Sequence, residues 1–165
     1  MRGIAGLLAG ALLAAAAPAH AQGDEDFMNA REAFRTGNRA RLDALEPRLR
    51  DHVLYPYVFY WRLRQRLDET PPEEVRAAMA QLADGPLGDR LRNDWLKSVA
   101  RRGLWDLFDA DRAGLRSEDV EVTCYGLQRA LQLGDPGALA AVRPHWLSAR
   151  AVPEACTAAY ERAID

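Results

Sequence analysis

The sequence predicts an all-α protein, a superhelical α-solenoid of stacked antiparallel helical hairpins. Three observations predict it. Apolar residues recur at three- and four-residue spacing from residue 27 onward, no stretch alternates with period two between hairpin signals, and Gly or Pro interrupts the pattern about every 8–16 residues. Connections this short join antiparallel neighbours, which favours stacked hairpins over one long bundle. The Trp, Gly, Tyr and Pro spacing of tetratricopeptide repeats is absent, so the repeat is a degenerate one of helix pairs.

The first element is read as a leader rather than as fold. Arg2 is a short basic region, Ile4 to Ala17 is an apolar run, and Ala19-His20-Ala21 is a small-x-small cleavage signal. Residues 1–21 are therefore expected to be a secretory signal peptide cut between Ala21 and Gln22, leaving residues 22–165 as one helical domain. The run is short for a membrane span and acidic Asp24-Glu25-Asp26 follows it, so no membrane insertion is expected after cleavage. The expected location is the periplasm.

The helices follow in order. Phe27, Ala30 and Phe34 share a face that Gly37 ends, and Leu42, Leu45 and Leu49 repeat the spacing. Thr70-Pro71-Pro72-Glu73 reads as a capping box ahead of Val75, Met79 and Leu82. Gly85-Pro86 opens a helix whose Leu87, Leu91, Trp95 and Val99 line one side until Gly103. Ser117 is the expected cap of a helix carrying Val120, Cys124, Leu127 and Leu131, closed by Gly134. Asp135-Pro136 is expected to start a helix with Leu139, Val142 and Trp146, and Pro153 a last one through Cys156 and Tyr160. That last pattern is still amphipathic at Asp165, which reads as an incomplete domain.

One stretch, His52 to Leu67, places five aromatics within residues 55–61. With Pro56 at the first helical position, Tyr57, Phe59, Tyr60, Trp61, Leu63 and Leu67 fall on one wide arc, opposite Val58, Arg62, Gln65 and Arg66. An arc of that width suits a helix touching several others. The competing reading is a platform for sugar rings built from Tyr55, Tyr57 and Trp61; the helical period favours packing.

Composition excludes several classes of function. Twenty-two Lys and Arg against 24 Asp and Glu give a net charge of −2, with Lys97 the sole lysine, so there is no basic footprint for nucleic acid. The only cysteines are Cys124 and Cys156, and an exported chain with an even pair is expected to form a disulfide, stabilising by roughly 3 kcal/mol through loop closure. Beyond the leader the only histidines are His52 and His145, too few for a zinc site or a Cys–His nucleophile. Asp106, Asp109 and Asp111 lack the Gly and Glu of a calcium loop and read as a polar turn. No metal, cofactor or catalytic residue is assigned.

Several segments, in order, resemble the amino-terminal helical region of soluble lytic murein transglycosylases. They are Leu54-Tyr55-Pro56-Tyr57 with the helix after it, Pro71-Pro72, Leu91-Arg92-Asn93-Asp94-Trp95-Leu96, Ala100-Arg101-Arg102-Gly103-Leu104-Trp105, Thr123-Cys124-Tyr125 and Pro153-Glu154-Ala155-Cys156. The resemblance spans nearly all of residues 27–160. It implies a periplasmic superhelical scaffold, a matched pair of cysteine-bearing segments, and a downstream lysozyme-like domain cleaving the β-1,4 bond between N-acetylmuramic acid and N-acetylglucosamine to 1,6-anhydro products. Peptidoglycan glycan strands would then be the partner through the parent enzyme. The Glu-Ser motif of that domain does not occur in this chain, and Ser117-Glu118 has the reverse order. The expected role is architectural and non-catalytic. The alternatives are a free-standing periplasmic helical-repeat adaptor for a protein partner and a small glycan-binding module.

Overall fold

A computed structural model of the chain describes residues 19–138, 140–141 and 153–164. The apolar run expected to be a leader, most of the predicted helix after Pro136, and His145 lie outside the described residues. Eight α-helices and one 3-10 turn account for the regular structure, and there is no strand among the described residues. They are α1 (Ala19–Arg35), α2 (Arg39–Leu45) continuing into a 3-10 turn (Glu46–Leu49), α3 (Tyr55–Arg64), α4 (Pro72–Gln81), α5 (Pro86–Arg101), α6 (Trp105–Arg112), α7 (Val120–Gln132) and α8 (Glu154–Ile164). The all-α expectation holds.

Three helix ends are closed by one device. Gly37, Gly103 and Gly134 take φ of 69°, 70° and 71°, a region where a side chain would strain the backbone. At each, the next residue's N–H reaches back five residues, Asn38 to Ala33, Leu104 to Val99 and Asp135 to Ala130, satisfying carbonyls the helix leaves open.

Packing proceeds serially. The principal contacts run α1 on α2 and α3, α3 on α5, α4, α6 and α7 on α5, and α7 on α8. α5 is the hub because two of its faces are used. Leu87, Leu91, Trp95 and Val99 are buried as the four-residue spacing requires, each Leu or Val stabilising by about 2 kcal/mol on removal from water. Asp89, Asn93 and Lys97 form a second stripe, at the same spacing, that binds another segment through hydrogen bonds.

Four details depart from the sequence-based expectations. Thr70 does not cap α4: Pro71 occupies the capping position without an acceptor, and Thr70 Oγ1 donates to the Arg66 carbonyl at 2.8 Å. Two consecutive prolines hold the chain extended before the first turn and displace the box. The cap of α7 is Asp119, accepting from Val122 N–H at 2.9 Å, rather than Ser117; the two-residue shift buries Val122 and leaves Val120 exposed. On α3, Val58 is fully buried while Tyr57 is exposed, because the helix lies between α1 and α5 and ends at Arg64, with Leu67 buried on the following turn. Finally, Asp106, Asp109 and Asp111 lie in helix α6 rather than a turn, and Asp111 is buried.

Candidate functional site

A broad groove follows α5. Of about 1010 Å³, it has the α5 residues Asp89, Arg90, Asn93, Asp94 and Lys97 as its floor, Tyr60, Trp61 and Arg64 of α3 on one side, and residues 116–119 on the other. A second groove of about 340 Å³ shares Arg64, Asp94 and Lys97 and continues past Ser98 and Arg101 to Glu121. The larger of the two, the trough, follows α5 from the Asp84 turn to Lys97, and the smaller adjoins it at these three side chains.

The far wall is held by directed polar contacts. Asp89 accepts from the backbone N–H groups of Arg116 and Ser117 at 3.1 and 2.8 Å. Asn93 donates to the Ser117 carbonyl at 2.9 Å and accepts from Asp119 N–H at 3.0 Å. Lys97 reaches Asp119 at 2.7 Å. The segment entering α7 is thus fixed by three side chains one helical turn apart. Below it, Asp111 takes Trp95 Nε1–H and Arg76 Nε–H, both at 2.8 Å, so a buried carboxylate and a buried indole satisfy each other.

The near wall is ionic as well. Asp94 accepts from the Tyr60 hydroxyl at 2.6 Å and pairs with Arg64 at 3.1 Å and Lys97 at 3.6 Å. Burial, reinforced by the Asp94 hydrogen bond, pushes the Tyr60 phenol well above its ordinary range, so it stays protonated and donating. Behind α3, Asp43 bonds Arg66 and Arg62, and the Arg66 hydrogen bond holds its carboxyl below the usual Asp value. Glu46 is pushed up by burial, yet hydrogen bonds from Tyr55 and Arg50 more than offset this and its pKa is lowered.

The sequence candidates are dispersed. The Tyr55 hydroxyl is committed to Glu46 at 2.6 Å, and Tyr57 stands exposed with its ring 6.1 Å from Trp61. Trp61 is buried, with Phe27 at 5.3 Å and Phe34 at 5.5 Å; of the three it alone lines the trough. Cys124 and Cys156 are buried and disulfide-bonded, their Cα atoms 4.8 Å apart, joining α7 to α8. No group of His, Cys, Asp and Glu suited to hold a metal ion occurs among the described residues. No helix there is long and apolar enough to cross a membrane.

Sequence reasoning missed the polar stripe of Asp89, Asn93 and Lys97. Its signal was present, since the three sit at four-residue intervals exactly out of phase with Leu87, Leu91 and Trp95. A polar stripe normally reads as a solvated face. Comparison with protein-family models, with curated proteins and with solved structures gave no match for this chain.

Proposed function

We propose that this chain is the exported helical scaffold region of a soluble lytic murein transglycosylase, a periplasmic wall that positions glycan strands for a catalytic domain further along the polypeptide. The observation that carries the reading is the pairing of Cys124 with Cys156, since the resemblance implies that the segments Thr123-Cys124-Tyr125 and Pro153-Glu154-Ala155-Cys156 are partners. Two further features support it. Leu54-Tyr55-Pro56-Tyr57 lies at the start of α3, and Ala100 to Trp105 spans the end of α5, the turn after it and the first residue of α6. The contacts of α1 with α3, α3 with α5 and α5 with α7 are compatible with a stacked arrangement, with α4 and α6 also packed on α5.

On this reading the chain contributes shape and no bond cleavage. The proposal places the acid–base glutamate in the downstream domain, so the chain alone releases no anhydro-muropeptides from purified peptidoglycan. The reading frame beyond Asp165 tests the assignment. An in-frame lysozyme-like domain with a Glu-Ser motif is the expected result. A stop codon directly after Asp165, or release of anhydro products by the isolated chain, contradicts it.

A further inference from the structure

We propose that the trough along α5 is a binding site for a short extended peptide that carries both carboxylate and ammonium groups. The inference goes beyond the scaffold reading and does not depend on it.

Length comes first. The trough follows α5 from its start at Pro86 to Lys97, about 18 Å of helix, room for about five residues of extended chain. Charge comes second. The α7 side presents Arg116, Glu118, Asp119 and Glu121, while Arg64 stands on the α3 side. Most of these charges are already engaged within the protein: Arg64 with Asp94, Lys97 with Asp119, Glu118 with Arg112. Asp84 and Arg90 differ. Both line the trough, both are exposed, and neither has an ion pair or hydrogen bond among the described residues. One uncommitted anion and one uncommitted cation in the same trough suit a ligand with charges of both signs.

The aromatic residues argue against a sugar chain as the occupant. Tyr60 and Trp61 line the trough but are only 3 % and 8 % exposed, and Trp61 lies against Phe27 and Phe34. Arg64 covers the Phe34 ring at 5.4 Å. Little ring face is left for a pyranose to stack on.

The test uses the full chain with its disulfide intact, titrated with the tetrapeptide Ala-Glu-Lys-Ala bearing free termini and followed by amide chemical shifts. Ala-Gln-Gln-Ala with blocked termini and chitotetraose serve as the neutral peptide and glycan arms. Exposed ion pairs contribute little each, so the expected dissociation constant for the charged peptide is on the order of 1 mM at low salt, rising at least about threefold at 0.3 M salt. Shifts should map to residues 84–97 and 116–121. Arg90→Glu and Asp84→Lys should each weaken binding by about threefold or more, and Arg90→Lys should restore most of it, with unchanged thermal unfolding showing that the fold persists. Tighter binding of chitotetraose, equal binding of the neutral peptide, absence of charged-peptide binding, or indifference to Arg90→Glu overturns the proposal.

Discussion

The amino-terminal layer and the α5 hub solve the same packing problem with different chemistry. In the first, α1 and α3 meet through rings: Trp61 lies against Phe27 and Phe34, and His52 stacks on Phe27 at 5.4 Å while reaching Asp24 at 3.1 Å. In the second, Asp111, Asn93 and Asp89 hold α6 and the entrance to α7 by directed hydrogen bonds. An aromatic interface is non-directional and tolerates a change of shape when volume is kept. A buried polar contact tolerates little, because removing one partner strands the other without water. The difference teaches that α3 is seated on α1 by adaptable ring packing, while the entrance to α7 is seated on α5 by fixed polar geometry.

The largest effect should come from breaking the ring layer. Trp61→Ala removes the ring shared by three neighbours and should lower unfolding free energy in urea by about 3–5 kcal/mol, while Trp61→Phe should cost much less. Next in size is the α7–α8 link. Cys124→Ser with Cys156→Ser frees a loop of 32 residues and should cost about 3 kcal/mol, read as a shift in urea midpoint, without moving the ring layer.

The polar hub is tested by a nearly isosteric change. Asp111→Asn keeps one acceptor where Trp95 and Arg76 use two, and should cost about 1–3 kcal/mol despite the small change in volume. If Asp111→Asn were neutral while Trp61→Phe were severe, the contrast drawn between the two layers would be reversed.

Acid should expose the pair behind α3. Because the folded pKa of Asp43 lies below its unfolded value, its contribution is complete above the ordinary Asp range, about pH 4, and is lost as pH falls through the lowered folded value. Asp43→Asn should therefore flatten that part of the acid limb in stability measured against pH. The smallest effect belongs to Arg39→Ala at the exposed pair with Glu69, which should change stability by less than about 0.5 kcal/mol.

Helix class and the apolar stripes were legible because burial imposes a period on the sequence. Leu87, Leu91, Trp95 and Val99, and the stops at Gly37, Gly103 and Gly134, followed from spacing and backbone sterics alone. Caps were less legible at Thr70 and Ser117, where a proline or a nearby aspartate competes for the same few residues. The polar side of α5 was not legible as a binding stripe: Asp, Asn and Lys have the same spacing whether they face water or a folded-back segment. Only the position of residues 116–119 decides between the two. The trough needs α3, α5 and that segment together, so no local pattern could announce it.

That the chain is an exported, disulfide-closed helical scaffold is the central proposal. The direct measurement is the intact mass, without reductant, of the protein recovered after expression with its own leader in a bacterium that has a periplasm. The predicted mass lacks residues 1–21 and two hydrogens, with Gln22 at the amino terminus and neither cysteine open to alkylation. A cytoplasmic product that retains Met1 to Ala21 and alkylates at both Cys124 and Cys156 would contradict it.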